Sequence, residues 1–176
     1  MNNFGLVVIG AHSGVWLTSL LDEYQNQNII LVEPVPYNIA LLKENTAKYN
    51  NITIETSAVS EKNEIKKFYY IKPDAVKKLG KHWASGIGSF DKQHILNHKN
   101  KRFLVSDLDI EEINIQYLTF SDLTDKYSIS SIGLLQIDVE GAEFEILNSI
   151  DFKKIEIKKI IFEFKHFDGT FKEGPK

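Results

Sequence analysis

The sequence predicts an open, doubly wound α/β sheet of mostly parallel strands, and three observations carry that expectation. Short apolar runs at residues 4–9, Asn28–Val32 and 132–139 end in glycine or acidic loops, as strands buried on both faces require. Between them stand segments whose apolar residues recur at helical spacing. Their alternation along residues 4–56 is the pattern of right-handed βαβ units.

Taken in order, residues 4–9 (F-G-L-V-V-I) predict a buried strand stopped by Gly10. Residues 15–24 set Val15, Leu17, Leu20, Leu21 and Tyr24 at helical spacing. Asn28–Val32 repeats the buried-strand pattern, and Glu33-Pro34 ends it. Pro36 leads into a second helix over 37–49, with Ile39, Leu41, Leu42 and Ala47 as its stripe. A third strand is expected at 52–56, and the β-rich run 65–71 (I-K-K-F-Y-Y-I) predicts an added one. Residues 72–101 carry Pro73, Gly80, Gly86 and Gly88 and predict a long loop with short helical pieces, a length that usually marks function or mobility. Beyond it come a strand at 112–119 and a short helix to Tyr127 capped at Ser121-Asp122. A strand at 132–139, a helix at 141–150 and a last strand at 158–164 complete the pattern. The expected organisation is one domain over 1–176, with an irregular substrate-side insertion at about 72–102.

Composition narrows the function classes. With 43% apolar and 26% charged residues the chain is globular in character, and no apolar run approaches the roughly 20 residues of a bilayer span. The absence of cysteine removes thiolate metal sites, disulfides and cysteine nucleophiles, and with no leader pattern at the start the expected compartment is the cytoplasm. A formal charge of −3 disfavours nucleic acid as a partner. One segment runs the other way, with Lys77, Lys78, Lys81, Lys92, Lys99, Lys101 and Arg102 against the single acid Asp91 and with His82, His94 and His98 interleaved. The bland reading is a solvated loop, and the sharper one a lid attracting an anionic small-molecule acceptor.

In an open parallel sheet ligands bind beyond the carboxyl ends of the strands, so the chemistry is sought in four loops. The first, Gly10, Ala11, His12, Ser13 and Gly14, allows a sharp turn and close approach to main-chain N–H groups, although a ligand-free turn has the same composition. Glu33 ends the second strand, where an acid can accept hydrogen bonds from a ribose diol. The first loop lacks the G-x-G-x-x-G spacing that seats a pyrophosphate, which disfavours a dinucleotide and a nicotinamide oxidoreductase. Asp138 ends an otherwise apolar strand, where an unpaired carboxylate costs several kcal/mol unless it faces a polar cleft. Glu140 and Glu143 follow at a helix start, where acids also serve as dipole and capping groups.

The motifs V-I-G-A-H-S-G, L-V-E-P-V-P-Y-N, S-A-V-S-E-K and L-L-Q-I-D-V-E-G-A-E-F-E-I-L resemble, in order and spacing, the FkbM-type family of S-adenosylmethionine-dependent methyltransferases. The likeness runs over residues 4–164, and its last motif is the specific one. It implies a Rossmann-like fold of class I methyltransferase type, with S-adenosylmethionine at Gly10, Ala11, His12, Ser13 and Gly14. It also implies Glu33, Pro34 and Asn38 on the ribose side and Ser57 and Ala58 near the adenine. Such families typically methylate hydroxyl groups of sugars or secondary metabolites, so the implied acceptor is a small molecule or glycan.

Two departures accompany the resemblance. Val8 stands where the family has an acid and His12 where it has asparagine, so the polar contacts at the methionine end are expected to differ. After residue 164 twelve residues remain, too few for the closing helix and antiparallel strand pair of this fold. The last strand is then expected as an open edge, suited to self-association or to completion by further chain. Asp138 and Glu140 are the candidate general bases, with His82, His94 and His98 as alternatives on a folded-over loop. No histidine and carboxylate spacing singles out a metal, and none is expected. The rival reading is a non-catalytic domain of the same fold used for binding or assembly.

Overall fold

The computed structural model describes residues 2–80, 82–97, 104–139 and 141–163, with backbone alone at His82 and Trp83. The chain runs from β1 (Asn2–Ile9) through a 3-10 turn (Val15–Leu17) into α1 (Thr18–Glu23), then β2 (Asn28–Val32), α2 (Pro36–Asn45), β3 (Ile52–Glu55) and β4 (Ala58–Val59). Next come β5 (Glu64–Ile71), α3 (Pro73–Leu79), a 3-10 turn (His82–Gly86), β6 (Gly88–Ser89) and α4 (Lys92–Asn97). A 3-10 turn (Asp107–Asp109) precedes β7 (Ile110–Leu118), α5 (Phe120–Lys126), β8 (Ile129–Ile137), α6 (Glu143–Asn148) and β9 (Glu156–Phe162).

Five parallel strands form the central sheet in the order β3-β2-β1-β8-β9. Apolar residues on both faces of each inner strand explain why helices cover both sides. Val7, Ile9, Ile30 and Val32 pack with Leu123 of α5 and Ile146 of α6. Leu6, Val8, Ile29 and Leu31 pack on the opposite face with Leu17, Leu21 and Leu42. The order runs outward one way from β1 to β3 and the other way from β8 to β9, so the topological switch point lies between β1 and β8. This is the doubly wound Rossmann-like architecture expected from the sequence. Among the described residues the sheet ends at β9, where Ile161 and Phe162 are partly exposed.

A second sheet, in the order β4-β7-β5-β6, is antiparallel except for the β4–β7 pair. Sequence periodicity anticipates β5 and β7 as strands but carries no information about their pairing. The part of the expected long loop that is described is mostly short elements. They enclose a small core of their own, with Ile71, Ala75, Ala84, Ile87, Ile95 and Val105 buried together.

Several boundaries differ from expectation for local reasons. Thr119, rather than Ser121-Asp122, caps α5, because its extended backbone lets the side chain accept from the Asp122 N–H at 3.0 Å. Helix α2 starts at Pro36 and stops at Asn45, and residues 46–49 form a turn in which the Thr46 hydroxyl donates to the Leu42 carbonyl. Helix α6 begins at Glu143 rather than 141, since Gly141 holds a φ of 117° outside the helix.

Candidate active site

The loops after β1 and β8 meet at the switch point. The Asp138 N–H donates to the Ile9 carbonyl at 2.9 Å, and a Cβ on Gly10 would stand 1.8 Å from the Asp138 carbonyl oxygen. Gly10 also holds a φ of +92°, so backbone angle and space both require glycine. The N–H groups of Gly10 and Ala11 donate to the Val32 carbonyl at 3.0 and 2.9 Å, drawing the loop across the end of β2. That brings the His12 N–H onto Glu33 Oε2 at 2.9 Å.

Glu33 is only 5% exposed. Its Oε1 accepts from the Val35 N–H at 2.8 Å and from Asn38 Nδ2 at 3.3 Å, while Oε2 accepts from His12 alone. Burial pushes its pKa up to about 7, with the three donated hydrogen bonds opposing the rise. Asn38 Nδ2 also donates to the Ser85 carbonyl at 3.0 Å, so both of its partners are acceptors and the amide orientation is fixed. Its Oδ1 is buried and accepts no hydrogen bond.

Asp138 is half-buried just beyond the end of β8, and its carboxylate accepts no hydrogen bond from the described residues. Burial first, and the Glu163 and Glu143 carboxylates second, raise its pKa to about 6. Glu143 has a different task. Fully buried, it accepts from the Val139 N–H at 2.8 Å and the Gly141 N–H at 3.0 Å, and so fixes the turn into α6. Glu140 lies outside the described residues.

Glu33 and Asp138 line the same cavity, whose space is about 600 Å³ with that open to solvent included. Of the expected residues, Gly10, Pro34, Asn38 and Ala58 line it as well. Ala11, His12, Ser13, Gly14 and Ser57 do not. Ala11 is core, Gly14 presses against Leu42, the Ser13 carbonyl accepts from Asn45, and Ser57 donates its N–H to Glu55. Val59 and Ala142, from the third and fourth of the loops in which the chemistry is sought, line it too. Val35, Phe68 of β5, Tyr117 of β7 and Phe90 just beyond β6 also line the cavity, and sequence reading missed them. For Phe68 and Tyr117 only the strand assignment was accessible, because the contact arises from β5 and β7 folding over the ends of the central strands.

The insertion reaches this site through Ser85. His12 Nε2 and Ser85 Oγ share a hydrogen bond at 2.5 Å, and the Tyr37 hydroxyl donates to the Ser85 carbonyl at 3.2 Å. The basic residues of the insertion that are described point elsewhere. Lys77 pairs with Asp74, Lys78 with Asp109 and Lys92 with Asp107, and none of the three lines the cavity. His94 is buried on α4 and is not in the lining. The His82 side chain, His98, Lys81, Lys99, Lys101 and Arg102 lie outside the described residues. No cluster of three metal-ligating side chains occurs among the described residues.

A family model described as the methyltransferase FkbM domain matches residues 9–174. The chain belongs to the FkbM methyltransferase family. No curated protein and no solved structure matches it. In this FkbM domain Val8 is fully buried on the α1/α2 face of the sheet and outside the cavity lining. The His12 ring reaches Ser85. Among the described residues no helix is long and apolar enough to cross a membrane.

Proposed function

We propose that this methyltransferase uses S-adenosylmethionine to methylate a hydroxyl group of a small-molecule acceptor. The observation that carries the reading is the shared cavity of Glu33 and Asp138 at the switch point. The donor set fits an adenosine. A ribose diol offers two hydrogen-bond donors, and two residues that line the cavity carry acceptors with capacity left, Glu33 Oε2 and Asn38 Oδ1. Gly10, Pro34 and Ala58 leave room along the same wall. When bound, the cofactor supplies an activated methyl group on a sulfonium. The protein then has to hold an acceptor oxygen in line at about 3–3.5 Å and receive its proton. Asp138, which accepts no hydrogen bond from the described residues and has a pKa of about 6, suits the second task at neutral pH.

Calorimetric titration of the wild-type protein with S-adenosylhomocysteine and with NAD tests the reading. One S-adenosylhomocysteine site and no heat from NAD is the expected result, and binding of NAD alone would overturn it. The ionised Glu33 is the form that accepts from the diol. Affinity is therefore expected to fall about tenfold from pH 8 to pH 6, across its pKa of about 7.

A further inference from the structure

Tyr117 on β7 lines the cavity, is buried, and its hydroxyl has no hydrogen-bond partner among the described residues. A buried phenol left in that state is unfavourable, and a ligand oxygen is its natural complement. Around it the cavity wall contributed by the second sheet is aromatic and poor in polar groups. Phe68 and Phe90 line it together with Tyr117, and Ser89 Oγ accepts from the Asp91 N–H, which leaves its own O–H as a second polar group. The ammonium of Lys66 lies 4.7 Å from the Tyr117 ring centre and 5.0 Å from that of Phe90, and it is paired with Glu64 at 3.0 Å. Its charge is offset locally, so this wall does not select an anion.

We propose that this wall is the acceptor subsite and that it takes a planar phenol, with Tyr117 hydrogen-bonded to the acceptor oxygen and the Phe68 and Phe90 rings packed on the scaffold. The proposal rests on the methyltransferase reading above and narrows its acceptor. A polyhydroxylated sugar would bring several hydroxyls against a wall whose described side chains offer only the Tyr117 and Ser89 hydroxyls, and each left unpaired costs binding. Proton chemistry points the same way. A phenol of pKa about 10 lies roughly 4 units above the Asp138 carboxylate, whereas an aliphatic alcohol is far more distant. The transfer forms one oxygen–carbon bond and breaks one sulfur–carbon bond. The bonding pair stays on sulfur, and the phenol proton passes to Asp138.

The test uses the wild-type protein and Tyr117→Phe, which keeps the ring. Each is titrated with S-adenosylhomocysteine, and the complex is then titrated with 2-naphthol and with methyl α-D-glucopyranoside. Methyl transfer from S-adenosylmethionine to both probes is measured alongside. Expected are binding and methylation of 2-naphthol but not of the glycoside, about tenfold weaker 2-naphthol binding in Tyr117→Phe, and an S-adenosylhomocysteine affinity changed less than twofold. Preference for the glycoside, binding of neither probe, or unchanged 2-naphthol affinity in the variant overturns the proposal. So does a variant that loses S-adenosylhomocysteine instead, since Tyr117 then serves the cofactor. Failure of the wild-type protein to bind S-adenosylhomocysteine is a separate result, and it removes the cofactor reading itself.

Discussion

At Gly10 a left-handed backbone angle and a close approach to the Asp138 carbonyl coincide. Its missing Cβ lets the loop after β1 lie against the Asp138 carbonyl, and so brings the end of β2 and the end of β8 to one cavity. Gly10→Ala is expected to destabilise the fold by more than about 3 kcal/mol, because positive φ and a backbone clash act together. Urea unfolding checks this, and a loss below about 1 kcal/mol contradicts the geometry. At the same scale Gly10, Glu33 and Asp138 were legible in the sequence, since polar or glycine residues that end apolar strands have few other reasons to be there. Tyr117 was not legible. A tyrosine on an alternating strand looks like core, and only the register that pairs it with Ala58 on β4 brings it to the cavity.

At the scale of elements, the 3-10 turn at His82–Gly86 acts as a strap that ties the insertion to the first loop and α2. Three groups from two other elements hold Ser85: His12 from the first loop, and Tyr37 and Asn38 from α2. Ser85→Ala removes the Oγ bond to His12 and leaves both bonds to the Ser85 carbonyl. Amide exchange at 84–89 is therefore expected to quicken about 5- to 20-fold, with the central sheet unchanged. Uniform protection in both proteins would show that the strap is held without that bond. The sequence marked this segment as unusual by length and glycine content, but the turn docks through a serine and a backbone carbonyl, which leave no pattern to read. The cap of α5 is a similar case, since Thr119 and Ser121 are equivalent by composition and only backbone angle separates them.

Across the whole molecule, two buried glutamates at neighbouring strand ends oppose each other in pH dependence. Glu55 is held down to about 2, because hydrogen bonds from Lys126, Tyr127 and the Ser57 N–H outweigh the upward push of burial. Its stabilising contribution is present above its unfolded pKa near 4.5 and is lost as pH falls toward 2. Glu33, raised to about 7, favours the folded state most below 4.5 and progressively less as pH rises to 7. Lys126→Met is expected to remove roughly 2 kcal/mol near pH 6, allowing for the half-exposed lysine, and almost nothing at pH 2. Denaturant midpoints at the two pH values check the sign, and an equal loss at both contradicts it. The doubly wound topology was readable from strand–helix alternation and buried-strand composition. The second sheet was not, because antiparallel pairing between distant segments is set by which faces meet, not by any one stretch of chain.

The account rests on one cavity that joins the β2 acid to the β8 acid, and the most direct test is a crystal structure grown with S-adenosylhomocysteine. It predicts the ligand in that cavity, with a ribose hydroxyl within hydrogen-bond distance of Glu33 Oε2 and the sulfur on the side of Asp138. Ligand bound against another part of the surface, with the space between Glu33 and Asp138 filled by side chains, would contradict it.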